Sequence, residues 1–254
     1  MKKRKAGIVI FVIVLIITAV RIKSMDSHRI SGRILAENIA GPGMLRLVEQ
    51  SMQARIRKAS VAEIAVKERK HPQAALTFDD GPDIRYTPLL LDGLKERNVR
   101  VSFFLLGEKV EQYPELVERM QKEGHLVGNH TYHHVQLNKL NETKAREEIL
   151  KTNNLIYETT GVYPLYLRPP FGAWKKNLEL CVEMLPVFWT IDTLDWKVQN
   201  TEKIVRTVQE QIEDGAIILM HDEYDTSVEA ALQVVDELKN QGYELVTVDQ
   251  LILP

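Results

Sequence analysis

The sequence predicts an α/β fold in which about seven parallel strands form a barrel covered by helices. From residue 73 onward, short apolar segments alternate with amphipathic ones. The apolar segments are continuous, as is typical of parallel strands that are buried on both faces. Polar residues cluster directly after these segments, where the carboxyl ends of parallel strands converge. About seven strand–helix units fit a closed barrel better than a small open sheet.

The apolar segments predict strands, in chain order, at residues 74–78, 99–106, 125–128, 165–168, 187–191, 216–220 and 244–248. The amphipathic segments predict helices at residues 87–97, 113–123, 142–160, around 175–184, 201–212 and 228–241. Asn141 and Thr201 are suitable N-caps for two of these helices, and Gly161 directly follows the end of the first.

The N-terminus carries a separate signal. A basic segment at residues 2–5 precedes an uncharged apolar run at residues 6–20, which Arg21 and Lys23 close. A basic start followed by an apolar core is typical of an export signal, and no A-x-A cleavage pattern follows it. The run of about 15 residues is shorter than the ~20 of a usual membrane span. We predict an uncleaved signal-anchor at residues 1–23, with the following chain outside the cell membrane.

The alternative is a secreted protein that is cut near Ala19. Residues 24–71 are polar to mixed, with helical periodicity from residue 44 to residue 70, and predict a stalk or a short helical lead-in. No chemical motif lies in this segment. Residues 72–254 form the predicted functional domain.

Composition narrows the class of function. Hydrophobic residues make up 44% of the 254 residues and charged residues 27%, which is ordinary for a globular protein. The net charge is −2 and no basic stripe with interleaved aromatics occurs, so we expect no nucleic-acid partner. The single cysteine, Cys181, rules out an internal disulfide and a multi-cysteine zinc site. It is interpreted as core packing in a helix, and we expect a monomer.

Unusual polar residues follow five of the predicted strands. Their clusters occupy residues 79–80, 129–134, 168–172, 192–196 and 221–222. Because the carboxyl ends of parallel strands converge on one face, we expect these clusters to build a single site.

His130 and His134 are four residues apart, so on a helical turn both imidazoles would face the same side. With a carboxylate from a neighbouring strand end they would form an open metal site that accepts zinc, cobalt or nickel. The adjacent Asp79 and Asp80 can then differ in role, one binding the metal and the other acting as a base. Arg168 either pairs with the free aspartate or forms a purely structural ion pair.

These residues resemble the motifs of the polysaccharide deacetylase family, the NodB-homology group also called carbohydrate esterase family 4. The five motifs stand in order as Thr77-Phe78-Asp79-Asp80-Gly81-Pro82, His130-Thr131-Tyr132-His133-His134, Arg168-Pro169-Pro170-Phe171-Gly172, Asp192-Thr193-Leu194-Asp195-Trp196 and Leu219-Met220-His221-Asp222. The resemblance covers about residues 72–252, and Phe171 stands where many members have Tyr. It implies a distorted (β/α) barrel, usually of seven strands, which agrees with the strand count.

The resemblance implies a role for each matching residue. Asp79 would be the general base, oriented by Arg168, and His221 would be the general acid. The metal ligands would be Asp80, His130 and His134.

Supporting residues are implied as well. Asp192 would be the acidic partner of the general acid, with Asp195 as its rival. The backbone N–H of Phe171 would help to hold the oxyanion. Trp196 and Leu219 either line the sugar groove or pack in the core.

The implied reaction is metal-dependent hydrolysis of N-acetyl groups on an N-acetylated cell-wall glycan, with release of acetate. GlcNAc or MurNAc of peptidoglycan and chitin oligomers are all open as substrates. Two alternatives stand beside it, an O-acetyl esterase of the xylan type and a non-catalytic glycan-binding member of the family. The predicted anchor favours the organism's own envelope as the location of the substrate. Zinc is the expected metal, and cobalt and nickel fit the same ligands.

Overall fold

The computed structural model describes residues 71–174 and 184–252. The predicted anchor at residues 1–23, nearly all of the lead-in at residues 24–71 and the predicted helix around Cys181 lie outside these ranges. Within the described ranges, no helix is both long enough and apolar enough to cross a membrane.

The described strands form one parallel sheet. Their bounds are β1 Gln73–Asp79, β2 Ser102–Leu105, β3 Leu126–Asn129, β4 Tyr166–Leu167, β5 Leu185–Pro186, β6 Ile191–Asp192, β7 Ala216–His221 and β8 Glu244–Leu245. Seven strands follow the order β5-β4-β3-β2-β1-β7-β6, and β8 pairs with the start of β1. The seven strands curl into a half-barrel, with β1 at its centre between β2 and β7.

The predicted single strand at residues 187–191 is wrong, because this part of the chain divides between the two ends of the sheet. β5 pairs with β4 at one end, whereas β6 pairs with β7 at the other. Between them, the amide of Val187 donates to the carbonyl of Leu167 at 2.8 Å, and that of Thr190 donates to Ile217 at 2.9 Å. The segment therefore spans the opening of the half-barrel. A continuous apolar run cannot reveal which neighbour each residue pairs with.

Helices connect the strands. Their bounds are α1 Tyr86–Glu96, α2 Gly107–Gln112, α3 Pro114–Lys122, α4 Glu142–Thr160, α5 Asp195–Val198, α6 Thr201–Gln211, α7 Asp225–Asn240 and α8 Val248–Ile252. Short 3₁₀ turns occur at Leu137–Lys139 and Pro170–Gly172. The five predicted helices that fall in the described ranges agree with α1, α3, α4, α6 and α7 to within three residues at each end. The short helices α2, α5 and α8 escape prediction because they carry too little periodicity.

One of the two N-caps predicted from the sequence is confirmed and the other is wrong. Asn141 caps α4 as predicted, since its side chain accepts a hydrogen bond from an amide of the first turn at 2.9 Å. Gly161 ends that helix with a left-handed φ of 70°. For α6 the predicted cap, Thr201, is wrong. Asn200 precedes it with an extended backbone, and its side chain accepts from the amide of Lys203 at 3.0 Å.

Side chains along β1 alternate between two environments. Leu76 and Phe78 belong to the core between sheet and helices and are fully buried. Burial of each such side chain contributes about 1.5–3 kcal/mol. Ala75, Thr77 and Asp79 have the opposite parity and face the inside of the curl. The strand therefore delivers the Asp79 carboxylate to the carboxyl edge of the sheet, pointing inward.

Candidate active site

Asp79 ends β1, and its carboxylate lies against Arg168 inside the half-barrel. Both side chains are buried. Nη1 of Arg168 donates to Oδ1 of Asp79 and to the hydroxyl oxygen of Thr77, each at 2.7 Å. The guanidinium also lies over the ring of Phe104, 4.2 Å from its centroid. Removal of one partner from such a buried pair costs about 3–5 kcal/mol. Arg168 thus holds both the charge and the orientation of Asp79, which is the pairing that the sequence suggests.

The Asp79 carboxylate combines burial with nearby positive charge. Burial raises the pKa of Asp79 above its ordinary value, and the charges of Arg168 and His221 oppose this shift only in part. A carboxylate with a raised pKa is a stronger base than an exposed one. Its second oxygen, Oδ2, lies 3.7 Å from Nε2 of His130 and so faces the polar centre of the site.

Asp80 adopts a left-handed backbone conformation directly after β1, with φ of 69°. This turn brings its carboxylate to a pair of histidines. Oδ1 of Asp80 lies 3.4 Å from Nε2 of His130 and 3.4 Å from Nε2 of His134. Within the described residues, no donor makes a hydrogen bond to this buried oxygen. A buried anionic oxygen without a donor is costly unless a cation lies beside it.

His130 directly follows β3 and is buried. Its Nδ1 lies 2.6 Å from the carbonyl oxygen of Arg168. Because a carbonyl oxygen only accepts, Nδ1 carries the proton and Nε2 presents its lone pair to Asp80. Burial lowers the pKa of His130 to about 3, so the ring is neutral at physiological pH. Neutral imidazole is the form that binds metal ions.

His134 reaches the site through a left-handed turn, not through the helical turn that its spacing predicts. Thr131 has φ of 67° and His134 has φ of 55°. Each such conformation costs a non-glycine residue about 1–3 kcal/mol, so surrounding contacts must maintain the turn. The Thr131 amide donates to Oδ1 of Asn129 at 2.7 Å, and the Gly107 amide donates to the Thr131 carbonyl at 2.9 Å.

The ligand atoms of Asp80, His130 and His134 fit a divalent cation. They lie within 4.8 Å of one another. Tetrahedral coordination with bonds of about 2.0–2.2 Å separates neighbouring ligand atoms by about 3.3–3.6 Å. The two separations measured from the Asp80 oxygen are both 3.4 Å. The structure therefore brings the three predicted ligands together in an arrangement that could hold a divalent cation.

Asp195, and not the predicted Asp192, is the acidic partner of His221. Oδ1 of Asp195 lies 2.8 Å from Nδ1 of His221, and Oδ2 accepts from the His221 amide at 2.8 Å. Burial lowers the pKa of His221, but the hydrogen bond and negative charge of Asp195 outweigh it and raise this pKa to about 9. Burial by itself would raise the pKa of Asp195. The hydrogen bonds and positive charge of His221 outweigh it, so the pKa of Asp195 lies below its ordinary value. His221 is therefore protonated at neutral pH.

Asp192 makes a hydrogen bond within its own loop. It ends β6 and pairs in the sheet with Leu219, while its Oδ1 accepts from the amide of Leu194 at 3.0 Å. Leu194 then adopts a left-handed φ of 52°, and Asp195 follows it at the start of α5. The turn moves the chain across to the end of β7, and spacing along the motif does not reveal this step.

The three predicted groove residues differ in exposure. Phe171 has a left-handed φ of 59°, is 62% exposed, and has its ring centroid 4.5 Å from that of His134. Trp196 is 49% exposed, directly after Asp195. The Phe171 ring can therefore contact a ligand beside His134. Leu219 is buried in β7 and pairs in register with Thr77, so its side chain faces the inside of the curl, and its place in the groove stays a prediction beside core packing.

A buried network beside Asp80 escapes sequence reasoning. The Asp222 carboxylate is fully buried, and burial raises its pKa to about 7. It accepts a hydrogen bond from the hydroxyl of Thr87. The Thr87 oxygen in turn accepts from the amide of Asp83 at 2.7 Å. A Cβ at Gly81 would clash with the Asp222 carboxylate. Asp222 and Thr87 thus brace the loop after Asp80, and the only sequence signal is the place of Asp222 in the last motif.

Sequence comparisons identify related proteins. The family described as polysaccharide deacetylase matches residues 66–187. Peptidoglycan-N-acetylglucosamine deacetylase PgdA of Listeria monocytogenes serotype 1/2a (strain 10403S) is 42% identical over 185 residues, which are 73% of this chain and 40% of that protein. A peptidoglycan-N-acetylglucosamine deacetylase of Bacillus cereus is 40% identical over 186 residues, which cover 70% of this chain and 68% of that protein. The chain thus spans less than half of the Listeria relative.

Solved structures agree with the fold as well. Peptidoglycan deacetylase PdaC from Bacillus subtilis has a TM-score of 0.70 and 42% identity, and the match covers 72% of this chain and 91% of that chain. The Bacillus cereus relative is 40% identical with 68% of its length covered, and the PdaC structure shares the fold. The chain therefore belongs to the polysaccharide deacetylase family.

Proposed function

We propose that this chain hydrolyses N-acetyl groups of a peptidoglycan-type cell-wall glycan, with release of acetate. The observation that carries the proposal is the pairing of a buried base, Asp79, with a protonated acid, His221, around the Asp80, His130 and His134 ligand set. The named activities of the relatives supply the substrate class. GlcNAc and MurNAc both fit the proposal.

Asp80, His130 and His134 would hold the divalent cation. The carboxylate oxygen without a hydrogen-bond donor and the neutral imidazole of His130 suit zinc, and cobalt or nickel would accept the same donors. When bound, the cation would act as a Lewis acid toward the acetyl carbonyl and make an attacking water easier to deprotonate.

Asp79 would take the proton from the attacking water. Its Oδ1 is held by Arg168, while Oδ2 faces the polar centre and remains able to accept a proton. The buried ion pair fixes the carboxylate in one orientation. General-base assistance of this kind contributes about 10²–10⁴-fold to a rate.

His221 would deliver a proton to the amide nitrogen of the substrate. An amide nitrogen leaves poorly unless it is protonated, so the reaction needs an acid that is charged at neutral pH. Asp195 binds Nδ1 of His221, which leaves Nε2 free to face the site, 3.8 Å from Oδ2 of Asp80. The pKa of about 9 keeps His221 protonated at neutral pH.

The mouth of the site would position the acetylated sugar. The backbone N–H of Phe171 would stabilise the developing oxyanion, a contact worth about 3 kcal/mol when well placed. Its exposed ring beside His134 and the half-exposed Trp196 supply apolar faces for a sugar ring.

We also propose that residues 1–23 anchor the chain in the cell membrane, with the domain outside. The basic residues 2–5 before the apolar run 6–20 support this orientation. A cell-wall substrate lies on the same side of the membrane.

Acetate release should be greater from N-acetylated peptidoglycan or chitin oligomers than from acetylated xylan, measured side by side with one enzyme preparation. Chelation should abolish release, and zinc or cobalt should restore it. Circular dichroism should persist and the thermal transition should move by only a few degrees, because the ligands lie at the sheet edge rather than in the core. Full activity after exhaustive chelation, or release from xylan alone, would contradict the proposal.

The two adjacent aspartates should separate in metal content. Asp80→Asn should lose metal and activity together, because a neutral amide is a poor ligand. Asp79→Asn should keep the metal and lose turnover by roughly 10²-fold or more. Asp92→Asn, which removes an exposed carboxylate on α1, controls for the change in charge. A metal-free Asp79→Asn beside a zinc-loaded Asp80→Asn would reverse the two assignments.

The pH dependence should identify the partner of the acid. Asp195→Asn removes the charge that raises the His221 pKa, so that pKa should fall by about 1–3 units. Because the acid acts in its protonated form, the alkaline limb of kcat/KM should move to lower pH by the same amount. Asp192→Asn should leave the limb unchanged. NMR titration of the His221 ring checks the pKa directly, and a limb that moves only in Asp192→Asn would refute the pairing.

Fractionation of cells should recover the intact chain in membranes, with its C-terminal domain accessible to protease from outside. The apolar run and the missing A-x-A pattern are the basis of this expectation. A mature form in the culture fluid that begins near residue 20 would show instead that the signal is cleaved.

A further inference from the structure

Glu148, on α4, contacts the turn that joins the two histidine ligands through both of its carboxylate oxygens. Oε2 accepts from the backbone amides of Tyr132 at 3.1 Å and His133 at 2.9 Å. Oε1 lies 2.8 Å from Nδ1 of His133. One carboxylate therefore binds the backbone amides of two consecutive residues, Tyr132 and His133, and also the His133 ring. These residues lie sixteen and fifteen positions earlier in the sequence.

The same helix holds the turn at a second point. Nζ of Lys151 lies 3.3 Å from the ring centroid of Tyr132. On the neighbouring helix α2, Glu111 accepts a hydrogen bond from the Tyr132 hydroxyl. Tyr132 is buried between these groups. Thr131 directly before it and His134 two residues after it are left-handed, and such strained conformations persist only if surrounding contacts maintain them.

The three ligands differ in how firmly they are held. Asp80 directly follows the central strand, and His130 is fixed by the hydrogen bond from Nδ1 to the Arg168 carbonyl. Within the described residues, no hydrogen bond fixes the His134 ring, which lies against the rings of His130 and Phe171 and has its Nε2 3.4 Å from Oδ1 of Asp80. The position of His134 is therefore set mainly by the backbone of the turn.

We propose that Glu148 is a positioning residue that sets the affinity of the site for its divalent cation by holding the turn that presents His134. It touches neither the ligand atoms nor the reacting groups. Its carboxylate supplies acceptors to the Tyr132 and His133 amides, which otherwise lose their partners when the turn adopts its left-handed form. This inference rests on the metal site proposed above.

The test compares the zinc affinity of purified full-length variants by competition with a chromophoric chelator. Glu148→Ala should weaken zinc binding by roughly 10–100-fold, the range typical of residues that orient metal ligands without contacting the metal. Glu148→Gln should weaken it less, because one carbonyl oxygen can still accept from the two amides. Glu147→Ala is the matched control, since Glu147 is the adjacent and exposed residue of α4 and should leave the affinity unchanged.

A second readout separates positioning from general stability. The visible spectrum of the cobalt-loaded protein should change in Glu148→Ala and Glu148→Gln but not in Glu147→Ala, because only the former variants move a ligand. His133→Ala removes the ring contact and keeps the backbone contacts, so its zinc affinity should stay within about threefold of wild type, well below the loss expected for ligand-orienting groups.

The outcomes distinguish the two proposals. Wild-type protein that binds neither zinc nor cobalt would refute the metal site itself. Wild-type binding together with unchanged affinity and spectrum in Glu148→Ala would refute only the role of Glu148. If Glu148→Ala does not fold, Glu148→Gln decides, and an affinity within twofold of Glu147→Ala, with an unaltered cobalt spectrum, overturns the inference.

Discussion

The buried ion pair between Arg168 and Asp79 is the interaction on which the rest of the site depends. The guanidinium fixes the Asp79 carboxylate through Oδ1 and at the same time binds Thr77 on the inner face of the central strand. The backbone carbonyl of the same arginine fixes the tautomer of His130. One residue at the end of β4 therefore orients a candidate base and a candidate ligand from different strands. A buried arginine is tolerated there because its charge is paired and lies over an aromatic ring.

A change in backbone conformation separates the two neighbouring aspartates. Asp79 keeps the extended conformation of β1 and points inward to Arg168, whereas Asp80 turns into the left-handed region and meets the histidines. Two adjacent carboxylates would repel each other in a buried site without compensation. Here each faces a different set of positive or metal-binding groups, so one site can hold a base and a ligand side by side. The loop beyond them is braced by Asp222 and Thr87.

Much of this arrangement can be predicted from the sequence, because the carboxyl ends of parallel strands converge on one face. The helices α1, α3, α4, α6 and α7, the position of Asp79 and the meeting of the three ligands follow from that rule and from periodicity. Two of the errors share one cause. The strand expected at residues 187–191 and the choice between Asp192 and Asp195 both depend on how the sheet curls and which strands end up adjacent.

The sequence by itself determined the local features: the order of strands and helices and the motifs at the strand ends. These depend on residue type and on spacing along the chain, whereas the choice of Asp80, His130 and His134 as ligands rests on the resemblance of those motifs to a family. Only the tertiary structure decided that the sheet remains a half-barrel, that Asp195 pairs with His221, and that Glu148 and Asp222 support the loops of the site. Each of those contacts joins residues on different elements. Their geometry follows from sheet curvature and from single left-handed residues, neither of which leaves a pattern in the sequence.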